Sequence, residues 1–285
     1  MVITVRAFIS LDLEGLPYIV SREHLFVKGA LYSEARKIAT EIVKVTAETL
    51  HHELGFEEVI IADSHGPMVN ILPEDTPDYI ELVRGFPRPL SMVAFAKGSD
   101  AALFLGYHAK AGTDRATFDH TYSGASIDSL EINGIEVSEF LLNAYILGSW
   151  GIPVILVGGD RRLLETDVKT FTPWAVSVPF KESSSRYAAK SPGMRRIKTM
   201  LREGVIEAVE RLKRGEAKPL VTREPVHVKV RFLRSDMADT AELLPFVNRI
   251  DGKTVEFEAK TVEEAYKVFE LLTLAAAGVN AIVTR

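Results

Sequence analysis

Residues 31–66 read "LYSEARKIATEIVKVTAETLHHELGFEEVIIADSHG". The first two thirds carry apolar residues at helical spacing and predict an amphipathic helix from about 32 to 54, with Gly55 as its stop signal. The remainder, "FEEVIIADSHG", predicts an apolar strand. Upstream, residues 3 to 13 of "VITVRAFISLDL" predict another. Strand, helix, strand is the building unit of a parallel sheet. Downstream, "DAALFLGYHAKAG" contains a strand ending near His108, and "IPVILVGGDRR" one ending near Asp160. Continuously apolar strands are expected where a parallel sheet is covered on both faces.

The expected fold is α/β, a three-layer, mainly parallel sheet domain over residues 1–190 followed by a smaller α+β domain. Within the first domain "SLEINGIEV" predicts a hairpin turning at Asn133-Gly134, and a helix follows over about 138–148. From 191 the texture changes. "SPGMRRIKTMLREGVIEAVERLKRG" predicts a charged amphipathic helix, read as a connection, and "AKPL" a linker. Strands at "VHVKVRFL" and "KTVEFEA" and a helix opened by Thr261 and Glu264, a capping box, complete residues 191–285.

Composition narrows the function. The chain has 285 residues, 47% hydrophobic and 26% charged, with a net charge of -5. That suits a soluble globular protein, and the scattered basic residues leave no footprint for nucleic acid. The N-terminus shows no export signal, and no segment offers about 18 uninterrupted apolar residues. A cytoplasmic location without membrane attachment is therefore expected. There is no cysteine, so a transition metal would have to be held by imidazole and carboxylate.

Three apolar strands end in such groups beside glycine: "LDLEG", "ADSHG" and "LGYHA". Strand alternation would put Asp12 and Glu14 on one face roughly 6.5 Å apart. Two anions aimed at one place each raise the cost of ionising the other, and a cation is the simplest resolution. Ligands bind outside the carboxyl ends of parallel strands, so Asp12, Glu14, His65 and His108 are expected in one crevice. Asp63 is a candidate to orient His65. Asp160 reads as a helix cap, His51 and His52 as helix-end cations, and Glu139 as a helix-start acid.

Together the stretches "SLDLEG", "DSHGPMVNI", "LFLGYHAKAGT", "DHTYSG", "NGIEVSEFLLNAY" and "PVILVGGDRRLLE" resemble the zinc-dependent D-aminopeptidases of the DppA type, peptidase family M55. The likeness covers most of residues 8 to 165 and continues more loosely through "VEFEAKTVEEAY". It implies two zinc ions per chain, with Asp12 bridging both and Glu14, His65, His108 and Glu139 completing the ligands, and so replaces the plain helix-start reading of Glu139. It implies His120 as the catalytic residue and short peptides with a free N-terminus, D-residues first, as substrates. It also implies assembly as a homo-oligomeric ring, for which a decamer is one size. Rival readings are another dinuclear amidase, a phosphoesterase clamping phosphate with Lys110, Arg115, Arg161 and Arg162, or a non-catalytic metal-binding assembly protein.

Overall fold

Apolar runs without polar alternation can be buried on both faces, and here they are. The computed structural model describes residues 5–74 and 76–283, so residues 3 and 4 of the expected first strand lie outside the described residues. In chain order β1 (Arg6–Leu11) leads through α1 (Tyr32–Glu48) to β2 (Glu58–Asp63), β3 (Ile80–Val83) and β4 (Ala101–Tyr107). The strands β5 (Ile127–Ile132) and β6 (Ile135–Glu136) precede α2 (Glu139–Ser149), β7 (Val154–Asp160), β8 (Val176–Ser185) and β9 (Ala188–Lys190). The remainder holds α3 (Met194–Lys213), β10 (Val226–Phe232), α4 (Ser235–Ala241), β11 (Asn248–Arg249), β12 (Thr254–Ala259) and α5 (Val262–Val283).

Among the described residues, seven strands form one sheet in the order β3-β2-β1-β4-β7-β8-β9. Every pairing is parallel except that of β8 with β9. The chain runs outward from β1 to β3, then returns to lay β4 on the other side of β1. The switch point between β1 and β4 opens the crevice that parallel sheets use for ligands. Alternating β1 residues face opposite layers. Ala7, Ile9 and Leu11 pack in the cluster containing Ile42 of α1 and Leu201 of α3, while Phe8 joins the cluster containing Phe140 of α2. Helix α1 ends in a wider π turn over Thr49–Glu53, and Gly55 at φ 78° reverses the chain as its sequence position predicts.

The division expected at residue 190 does not follow the sheets. Helix α3, read as a connection, packs against α1, β7 and β8 and so completes the outer layer of the first sheet. A second, antiparallel sheet has the order β11-β12-β10-β5-β6. The β5–β6 hairpin, from the first half of the chain, thus supplies one side of a sheet whose other strands come from the last quarter. Its turn is as expected, with Asn133 at φ 53° and Gly134 at φ 80°. The cause is a non-local pairing: β10 has two edges to satisfy, and only one partner, β12, lies near it in sequence.

By length and composition alone, α5 could cross a membrane. In the fold its Val262, Ala265, Tyr266, Phe269, Leu272 and Ala276 are buried, and it packs on α2, α4, β10 and β12. Its outer face leaves Leu271, Ile282 and Val283 exposed.

A fragment ending at residue 190 loses α3 from one sheet face and the strand pairing that β5 has outside its own hairpin. It should therefore fail to give a cooperative thermal transition by circular dichroism. A soluble fragment that unfolds cooperatively would restore the expected boundary.

Candidate metal centre

Strand β1 ends at Leu11, so Asp12 and Glu14 stand in the turn that follows, rather than on a strand face. That turn lies back to back with the one after β4. Asp12 N donates to the Leu105 carbonyl at 2.8 Å and Gly15 N to that of Gly106 at 2.7 Å. A Cβ on Gly15 would sit 1.9 Å from the Tyr107 carbonyl oxygen, and one on Gly106 would sit 1.9 Å from that of Asp12. The glycines of "LDLEG" and "LGYHA" are therefore what let β1 and β4 bring their ends together. His65 follows β2, His108 follows β4, and Glu139 opens α2, whose cap Ser138 accepts from Leu141 N at 3.3 Å.

Asp12, Glu14, His108 and Glu139 are buried, with His65 and His120 only slightly exposed. His65 Nδ1 lies 2.8 Å from Glu14 Oε2 and 3.4 Å from Asp12 Oδ1. His108 Nε2 lies 3.4 Å from both Asp12 Oδ2 and Glu139 Oε1, and His120 Nε2 lies 3.4 Å from the same glutamate oxygen. Two ligands of one tetrahedral zinc, each at about 2.0–2.1 Å, stand roughly 3.3–3.4 Å apart. The recurring separation is that edge. It is too long for a hydrogen bond, and Asp12 Oδ2 and His108 Nε2 are indeed buried without a hydrogen-bond partner. The donors fall into two groups, Asp12, Glu14 and His65, and His108, His120 and Glu139.

Each imidazole is steered by its other nitrogen. His65 Nε2 is 2.9 Å from the Leu25 carbonyl, His108 Nδ1 is 3.0 Å from that of Ala109, and His120 Nδ1 is 2.7 Å from that of Phe118. A carbonyl at one nitrogen fixes the proton there and presents the other as a lone pair, the usual support of a metal-binding histidine. The protein's own charges also ask for a cation. Burial and then Glu14 push the Asp12 carboxyl up to about 8. Burial opposes charge on His108, but Glu139, Asp12 and Glu14 together outweigh it and lift the imidazole to about 10. His65 likewise rises against its burial because Glu14 lies beside it. Protons gather where positive charge is short.

The comparisons with known proteins agree with this chemistry. Residues 5–271 match the family model described as D-aminopeptidase, of peptidase family M55. The chain belongs to the D-aminopeptidase family. It is an enzyme, a hydrolase of peptide bonds. The D-aminopeptidase of Bacillus subtilis (strain 168) is 29% identical over 273 residues, covering 94% of this chain and 96% of the relative. The solved structure of the Zn-dependent D-aminopeptidase DppA from Bacillus subtilis, described as a self-compartmentalizing protease, matches with a TM-score of 0.90 at 28% identity. That match covers 96% of this chain and 98% of the other.

All six residues singled out in this D-aminopeptidase chain meet in the crevice. Glu139 is both a helix-start acid and part of the cluster, held by Tyr122 N at 2.7 Å. Asp63 does not orient His65. Its carboxylate accepts from Ile71 N at 2.8 Å and from Asn70 N and Nδ2, so it shapes the loop after His65. Asp160 is the expected cap, accepting from Arg162 N at 2.8 Å. His51 and His52 remain at the helix end, where His51 stacks on Tyr79.

Sequence reading missed Lys181. It lies on β8 with 1% of its surface exposed. Its Nζ donates to the Glu14 carbonyl and, at 2.8 Å, to that of Ile19. Burial pulls its pKa down to about 7, against the pull of Asp160, Glu14 and Asp12. The lysine thus ties the turn carrying two ligands to the sheet. Its one signal in sequence was a lysine closing the mostly apolar "VSVPFK". Lys181→Met keeps the packing but removes both donors, so competition with a chelator should show zinc affinity falling about 10- to 100-fold. Unchanged affinity would reduce Lys181 to a space-filling role.

Proposed function

We propose that this chain hydrolyses short peptides or amino acid amides with a free N-terminus, those beginning with a D-residue by preference, at a centre of two zinc ions. The observation that carries the reading is Asp12. Its two oxygens lie at the same 3.4 Å from His65 Nδ1 and His108 Nε2, so one carboxylate edges both donor groups. Asp12, Glu14 and His65 would hold one ion, and Asp12, His108 and Glu139 the other. Three protein donors each leave an open position, the arrangement of hydrolytic rather than structural zinc. Imidazole and carboxylate also suit manganese or cobalt; the zinc dependence of the similar solved protein favours zinc. When bound, the ions would supply Lewis acidity toward a peptide carbonyl and toward water.

His120 is left to move protons. With Nδ1 committed to the Phe118 carbonyl, Nε2 is the atom that can take or give one. Burial, and then the positive charge at His108, a proton there or the metal ion that would replace it, hold its pKa below the usual histidine value, so the ring is neutral at pH 7 and able to accept. The proton taken there can pass to the departing amine nitrogen. Ring stacking on His108, with centroids 4.3 Å apart, fixes the plane in which this happens. The surrounding cavity of about 360 Å³ is lined by Asp12, Glu14, His65 and Glu139, by Met68, Phe86 and Met92, and by α5, and suits a short peptide.

The cations a phosphoesterase would need are engaged elsewhere. Arg115 and Arg162 pair with Asp114, Arg161 with Glu165 and Glu182, and Lys110 approaches Asp167. A ring-shaped homo-oligomer is the assembly this reading includes, with ten copies as the size to test. The similar solved protein is self-compartmentalizing, and the exposed Leu243, Phe246, Ile250, Leu271 and Ile282 offer apolar surface for a second copy to cover.

His120→Ala should retain both metals by elemental analysis yet lose about 10²- to 10⁴-fold in kcat on D-alanyl amides; loss of one metal would make His120 a ligand, and full activity would end its catalytic role. Light scattering after size exclusion should return a large multiple of 31.5 kDa, and a monomer would remove the ring.

A further inference from the structure

One wall of the metal cavity is not made by ligands or their loops. Glu270, Thr273, Leu274 and Ala277 of α5 all line it. Spacings of three and four residues put them on one stripe of the helix, next to the buried stripe of Tyr266, Phe269 and Ala276. Thr273 donates its hydroxyl to the Phe269 carbonyl at 2.9 Å, and Leu274 and Ala277 are apolar. Glu270 is the charged group of this wall.

The helix is tied to the metal side of the cavity. Tyr266 Oη lies 2.7 Å from Tyr122 Oη, and the Tyr122 backbone N–H donates to Glu139 Oε1 at 2.7 Å. Glu270 stands one turn beyond Tyr266, so two hydrogen bonds and one helical turn relate its carboxylate to a proposed zinc ligand. The Leu90 N–H and the Arg88 guanidinium lie near enough to favour its charged form. Yet Arg88 sends Nε, Nη1 and Nη2 to the carbonyls of Ser91, Val83 and Asp63, and among the described residues Glu270 closes no salt bridge. A half-buried carboxylate that lines a substrate cavity and whose nearest cation keeps its own hydrogen bonds elsewhere is an acceptor for a cation carried by the substrate.

We infer that Glu270 receives the α-ammonium group of the substrate and so makes the enzyme select a free N-terminus. The inference rests on the aminopeptidase reading of the metal centre. Asp12, Glu14 and Glu139 cannot do this work while they hold metal ions, because their charge is then compensated. The hydroxyls of Ser64, Ser91 and Ser123 in the lining are neutral. Burial pushes the Glu270 carboxyl above its ordinary value, and an arriving ammonium would favour its charged form.

The test compares binding of D-alanine hydroxamate with that of propionohydroxamate, which lacks only the amine, to zinc-loaded wild type, Glu270→Gln and Glu270→Ala. Wild type should prefer the amine-bearing ligand about tenfold or more, the scale of a hydrogen bond to a charged group. Both variants should bring that ratio to about one while keeping metal content and thermal transition. A wild type without the preference, a ratio unchanged in the variants, or an equal loss for both ligands would overturn the assignment. Binding is read without turnover, so a wild type that cleaves no alanyl amide would refute the aminopeptidase reading separately.

Discussion

Asp12 is buried at the end of a central strand with one oxygen toward each of two donor groups, and the rest of the site is arranged around that fact. A carboxylate so placed is costly unless charge or hydrogen bonds compensate it. Only part of the compensation comes from the chain. Leu13 N donates to Oδ1 at 2.9 Å, Oδ2 has no partner, and the nearest imidazoles are drawn toward the charged state by the surrounding acids. A divalent cation on each side would supply the missing compensation, with His65 and Glu14, now 2.8 Å apart, separating slightly to share one.

The scaffold exists to make that placement rigid. The glycines at 15 and 106 let two turns touch through their backbones, Lys181 fastens the first turn to β8, and backbone carbonyls set the plane and the proton of each imidazole. Few of these supports are side chains with chemistry of their own. Such a site loses function when a backbone contact shifts by an ångström, although every ligand remains present.

Much of this was legible along the chain because it is local. Strand-ending motifs such as "LDLEG" and "LGYHA" carry ligand, turn and glycine within five residues, and parallel topology sends them to the same edge. Glu139 was readable only through its family resemblance, since a helix-start acid has the same local pattern whether or not it meets a metal. Asp63 was misassigned for a related reason: proximity in sequence to His65 suggested contact, while the turn directs its carboxylate back to Asn70 and Ile71.

The sequence by itself determined the α/β class, the mainly parallel pairing of its apolar strands and the residue types able to bind metal, because each follows from periodicity and from side-chain chemistry. Only the tertiary structure decided that β5 and β6 belong with β10, that α3 covers the first sheet, and that Lys181 and α5 reach the crevice. Those are contacts between segments far apart in the chain. Their energies depend on surfaces that come into existence only when the segments meet, so no spacing within either segment announces them.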